Sequence, residues 1–156
     1  MNMGLVESLK IGIIGEREQK KLLAFLYYFD KEGVKEVSIT ELLDAVRLAQ
    51  EKIDFGYKFS SRIFYSSNVF EEIERLRNKG YLKRYTYKYN GYFPMNYIAL
   101  TPLGFKKSKE IVNTLQADED EVIRSSVKQA IKNLRDRYKI WIRKLPKKHS
   151  HNNRSK

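Results

Sequence analysis

Apolar and polar residues alternate along this chain with two different periods. Leu22, Leu23, Phe25, Leu26 and Phe29 form a wide apolar face at helical spacing, which predicts a first helix over 16–30. Asp30-Lys31-Glu32-Gly33 ends it, and Val34 to Ile39 reads as a short β-like stretch. Thr40 is the expected N-cap of a helix to about Gln50, with Leu42, Leu43, Val46 and Ala49 inward. Residues 51–60 contain Gly56 and lack clean periodicity, so they read as a loop or a loop with a partial turn. Helical character returns from Ser61. Ser66 and Ser67 are candidate caps, and Val69, Phe70, Ile73 and Leu76 bury one face of a helix that Gly80 terminates.

The period then falls to two. Over 81–101, Tyr85, Tyr87 and Tyr89 alternate with Arg84, Thr86 and Lys88, and Asn90-Gly91 is a strong hairpin signal. Pro94 marks a connection longer than two residues, and Met95 to Thr101 reads as the returning strand. Thr101 as cap and Pro102 at the first helical position predict a helix to about Leu115. Four acids, Asp118 to Glu121, suit the start of a last helix that runs to about Leu145, where Pro146 stops it. The fold class expected is α+β, mainly helical. Its parts are an N-terminal arm (1–15), a central domain (16–117), a long C-terminal helix (118–145) and a basic, disordered tail (146–156).

The last helix carries a second signal. Val127, Ile131, Leu134, Tyr138, Trp141 and Leu145 are spaced as a heptad seam. One reading is a homodimer built on this seam; the other is a helix that packs back on its own domain.

Composition narrows the function. The chain has 156 residues and no cysteine, which removes disulfides, zinc–thiolate sites and cysteine nucleophiles. The longest apolar run, Leu22 to Phe29, is far below the roughly 20 residues that span a bilayer, and no signal peptide is evident, so a cytoplasmic protein with no membrane partner is expected. Abundant Lys, Glu, Ile and Tyr without Cys suggests a thermophilic, archaeal source. The net charge of +12 is unevenly placed. Residues 75–109 hold nine Lys or Arg and no acid, residues 143–156 hold six and none, and residues 1–74 carry a net −3. Clustered cations of this kind gain affinity for a polyanion by displacing its counterions.

Helix, helix, glycine and two-stranded hairpin thus follow in order. Arg75-Leu76-Arg77-Asn78-Lys79-Gly80-Tyr81-Leu82 resembles the end of a recognition helix and the first wing strand of winged-helix regulators. Ile98-Ala99-Leu100-Thr101-Pro102-Leu103-Gly104 is similar to their second wing strand and the helix after it. The order and both junctions, over about residues 16–115, resemble the PadR and MarR groups of transcriptional regulators. That resemblance implies a winged helix-turn-helix domain with a two-stranded wing, double-stranded DNA as partner, and dimerisation through a terminal helix. One departure is the connection of some 16 residues between the two helices, where a tight turn takes about three or four. Either the loop is elongated or an extra turn covers Ser61 to Tyr65, and the docking angle of the second helix stays open.

By resemblance, the 67–79 helix would enter the major groove with Ser66, Ser67, Asn68, Glu71, Glu72 and Arg75 as base or backbone contacts. Asn68 could read adenine, and Arg75 could read guanine or hold a phosphate. The acids have a plainer reading as a solvated face with partners such as Glu71–Arg75. Lys79, Lys83, Arg84, Lys88, Asn90 and Tyr92 of the wing and its flanks, with Lys106 and Lys107 beyond it, would hold the backbone. The tyrosine ladder either packs across strands or stacks on bases. No catalytic constellation, metal site or cofactor is expected: His149 and His151 lack carboxylate company, and no nucleophile elbow or phosphate loop is present. Besides a dimeric regulator, two readings stand: a DNA-binding adaptor of replication or partition in a mobile element, and a winged helix used as a protein-interaction module.

Overall fold

A computed structural model describes residues 21–60, 66–87 and 95–144. Helix α1 covers the described residues 21–31. It is followed by β1 (Val37–Ser38), α2 (Ile39–Gln50), α3 (Ser67–Asn78), β2 (Leu82–Tyr87), β3 (Met95–Leu100), α4 (Pro102–Val112) and α5 (Ala117–Lys144). The fold is α+β and mainly helical. Among the described residues no helix is long and apolar enough to cross a membrane. The expected arm (1–15), the Ser61–Tyr65 turn, Leu145 and the tail lie outside the described residues.

The sheet has three antiparallel strands in the order β1-β3-β2, where sequence periodicity predicts two. The added strand is the foreseen β-like stretch, pairing Val37 with Ile98 and Ser38 with Tyr97. Two residues are too few to announce a distant partner. β2 and β3 pair from Leu82↔Leu100 to Tyr87↔Met95.

Local chemistry fixes the element ends. Helix α2 is capped by Ser38, not Thr40. The Ser38 hydroxyl accepts from the Glu41 N–H at 3.1 Å, and Glu41 Oε1 accepts from the Ser38 N–H at 3.4 Å. This reciprocal pair satisfies two donors at once, which Thr40, already inside the first turn, does not do. Helix α3 ends as predicted: Gly80 has φ +82°, and the Tyr81 N–H reaches back to the Leu76 carbonyl at 3.0 Å. Thr101 caps α4, accepting from the Gly104 N–H at 3.0 Å, and that helix stops at Val112, short of Leu115.

One core unites the elements. Leu22, Phe25 and Phe29 of α1 meet Leu42 and Val46 of α2, Val69, Ile73 and Leu76 of α3, Ile98 of β3 and Ile123 and Val127 of α5. The described part of the connection after α2, residues 51–60, is anchored to the core. Phe55 and Tyr57 are buried in the same core, and the Gln50 side-chain oxygen accepts from both their backbone N–H groups, at 2.9 and 3.3 Å. Asp54 accepts from the Gly56 N–H at 2.9 Å, closing the turn at Gly56, whose φ is +88°.

The first half of α5 lies on its own domain. Val127 and Ala130 are fully buried and Ile131 half-buried, and α2 packs against this helix. Asp44 on α2 binds Asn133 Nδ2 at 3.2 Å and Arg137 at 3.7 Å, as well as Arg47 at 2.9 Å. Tyr28 on α1 donates to Asp120, and Arg124 reaches Asp120 at 2.9 Å. Val127 therefore does not face a second chain, as the seam reading had it. A heptad spacing serves a helix laid on its own domain equally well. Leu134, the next residue of the seam, is 38% exposed. Nothing is described of the Tyr138 and Trp141 side chains.

Candidate nucleic-acid interface

Helix α3 buries Val69, Glu72, Ile73 and Leu76 and exposes Ser67, Glu71, Glu74, Arg75, Arg77 and Asn78. Two residues expected at the DNA are thereby removed from it. Glu72 is 1% exposed, and its Oε2 accepts from the Tyr57 hydroxyl at 2.9 Å. Position 72 lies three after Val69 and four before Leu76, so the helical period itself turns it inward; only its polarity concealed this. Ser66 is also 1% exposed, sitting at the N-cap position beneath the surface. Asn68 is half-buried and its Oδ1 accepts from the Lys58 N–H at 3.3 Å, so the acceptor needed to read adenine already holds the far end of the connection.

The outer face of α3 is electrically balanced. Glu71 pairs with Arg75 at 3.5 Å and Glu74 with Arg77 at 3.1 Å. Glu74 also takes Arg84 of β2 at 3.3 Å, which ties the helix to the strand ribbon. Sequence spacing did not single out Glu74, because this pair joins two elements ten residues apart whose approach is tertiary.

The ribbon has two unlike faces. Strand alternation and register place Leu82, Arg84 and Thr86 with Asn96, Ile98 and Leu100 on the side of the core and α3. Lys83, Tyr85 and Tyr87 with Met95, Tyr97 and Ala99 lie on the other. Tyr85 and Tyr87 stand nearly parallel, their ring centroids 6.5 Å apart, and Tyr87 meets Tyr97 edge to face at 5.3 Å. The tyrosines thus pack along and across strands. The Tyr87 hydroxyl donates to Glu36, at 2.7 Å to one carboxylate oxygen. Lys79, Lys83 and Lys106 are exposed, and half-buried Lys107 approaches Glu110 at 4.0 Å. Lys88, Asn90 and Tyr92 lie outside the described residues.

The two sequence junctions, some twenty residues apart, touch at the ribbon base. The Thr101 hydroxyl donates to the Gly80 carbonyl at 2.6 Å, and the Thr101 N–H to the Tyr81 carbonyl at 3.0 Å. A Cβ on Gly104 would sit 2.0 Å from the Tyr81 carbonyl oxygen, so only glycine allows α4 to start this close. The end of α3, both strands and the start of α4 are thereby held as one unit. No protein-family model matches the chain, and no curated protein matches it.

Proposed function

We propose that this chain is a double-stranded DNA-binding protein of winged-helix type that regulates transcription, with α3 at the major groove and the β2–β3 ribbon as its wing. The observation that carries the reading is where the acid-free stretch lies. Of its nine cations, Arg75, Arg77, Lys79, Lys83, Arg84, Lys106 and Lys109 are exposed, and all belong to the unit closed by Gly80, Thr101 and Gly104. A rigid, cationic unit of a helix and a ribbon suits a phosphate backbone, where contacts fix position before any base is read.

Base reading rests on fewer groups than the sequence promised. With Ser66 and Glu72 buried and Asn68 engaged, Ser67 and the exposed ion pair Glu71–Arg75 remain at the front of α3. That scarcity favours a second reading, an adaptor of replication or partition that binds DNA with weak sequence preference. The protein-interaction reading is less favoured, because Glu71 and Glu74 are spent on Arg75, Arg77 and Arg84. Two copies would pair through the distal half of α5, from Leu134 onward, and present two such units to a two-fold site.

Selection of bound duplexes from a random DNA pool tests this. Enrichment of a short palindrome supports the regulator. Tight binding with no enriched sequence supports the adaptor. Absence of duplex binding at moderate salt, or duplex binding unchanged by Arg84→Glu with Lys106→Glu, overturns both.

A further inference from the structure

The ribbon face turned away from α3 is partly exposed and chemically distinctive. Tyr87 is 37% and Met95 42% exposed, Tyr85 and Tyr97 are half-buried, and Lys83 stands exposed at the row's inner end. β2 and β3 contain Lys83 and Arg84 and no acid. A carboxylate borders the face: Glu36 accepts from the Tyr87 hydroxyl and holds that ring in place. Duplex DNA does not account for such a face. In a duplex the flat faces of the bases are hidden inside the stack, so exposed rings find nothing on which to lie. Unpaired bases do offer their faces, and stacking on aromatic side chains beside a cation is the usual way a single strand is held.

We propose that this face binds single-stranded DNA, with the Tyr85, Tyr87 and Tyr97 rings stacking on unpaired bases and Lys83 holding phosphate. A small sheet of this size takes about two or three bases. Tyr85 and Tyr87 already stand nearly parallel on this face. A second copy of the chain is a poorer occupant. Two such faces brought together would bury Lys83 of each with no acid on β2 or β3 to meet it. The choice of DNA as the single strand rests on the duplex reading above; the stacking does not. Duplex on the α3 side and a loose strand on the far side of the same ribbon would place the protein at a junction between paired and unpaired DNA.

The experiment measures fluorescence anisotropy of the full chain with labelled 12-nucleotide oligothymidine, 12-nucleotide oligouridine and a 12-base-pair duplex. Tyr85→Ala and Tyr97→Ala should each weaken oligothymidine binding about fivefold or more, the least that one stacked base is worth. Duplex affinity should stay within twofold, and Tyr85→Phe, which keeps the ring, should bind both probes as the parent does. Equal thermal melting of the variants separates lost stacking from lost folding. Unchanged oligothymidine affinity in both alanine variants overturns the proposal. So does a parallel fall in duplex binding, which would make these rings part of the duplex site. Tighter binding of oligouridine than of oligothymidine overturns the assignment to DNA. A dimer that becomes monomeric on Tyr85→Ala assigns the face to a second copy and overturns it too. Failure of the duplex arm alone leaves the stacking face standing and removes only the reading of the α3 side.

Discussion

Replacing Gly104 with alanine sets helix propensity against tertiary packing. Position 104 lies in the first turn of α4, where alanine is favoured over glycine by about 1 kcal/mol on propensity alone. The added methyl would meet the Tyr81 carbonyl oxygen at 2.0 Å and its carbon at 2.8 Å. Carbon and oxygen ordinarily approach no closer than about 3.3 Å, so the backbone of α4 or of Tyr81 must yield by more than about 1 Å. Overpacking of this kind costs about 1–3 kcal/mol. The displacement also strains the Thr101 bonds to Tyr81 and Gly80, at 3.0 and 2.6 Å, each worth about 0.5–1.5 kcal/mol. Net of propensity, the loss is about 1–5 kcal/mol, a fall in Tm of roughly 2–20 °C for a domain of this size. Gly80→Ala is the control. Its Cβ meets nothing within 4 Å, so only the φ of +82° is penalised, by about 1–2 kcal/mol. Thermal and urea unfolding followed by circular dichroism measure both. A Gly104→Ala protein that melts at or above the parent temperature would refute the close approach and the closed ribbon base with it.

Further outcomes follow from other contacts. Glu74→Gln frees Arg77 and Arg84 from their shared carboxylate, so duplex affinity should rise. The slope of log affinity against log salt should then steepen by about 0.9 for each arginine that reaches a phosphate. Because these pairs are exposed, Tm should barely move. Tyr57→Phe removes a donor from buried Glu72 and should cost about 1–3 kcal/mol in urea unfolding, with α3 losing one of its ties to the connection. Burial holds the Glu41 carboxyl above its ordinary pKa, outweighing the bonds from Ser38. Between the unfolded and folded values the folded chain keeps a proton that the unfolded chain has lost, so this group's contribution falls as pH rises through that window. The parent should therefore gain stability relative to Glu41→Gln as pH drops from neutral toward the usual glutamate value of about 4.3. Trp141→Glu should yield a monomer in sedimentation velocity; a variant that stays dimeric removes the distal α5 pairing.

Much of the architecture was readable because it depends on local periodicity. The inward rows of α1, α2 and α3, the stop at Gly80 and the Thr101–Pro102 start of α4 involve residues a few positions apart. The Ser38-x-x-Glu41 spacing was also readable as a capping box, and Thr40 drew the assignment only because it is the nearer hydroxyl. What failed to show in the sequence depends on tertiary approach. The pairing of β1 with β3, the Glu74–Arg84 bridge and the seating of α5 against Asp44 join residues far apart along the chain. Glu72 was misplaced for a different reason. A charged side chain at an inward position looks solvated until its buried partner, Tyr57, is seen beside it.

The connection between α2 and α3 has a mechanical meaning. A tight turn fixes the angle between two helices by backbone geometry, and little can change it short of rebuilding the turn. Here the angle is borne instead by two side chains, Phe55 and Tyr57, seated in the core like pegs, with Gln50 steadying the backbone between them. Trimming one peg, as in Phe55→Leu, would retune the pitch of α3 while both helices and the ribbon keep their own sequences. The orientation of α3 is thus adjustable independently of its chemistry.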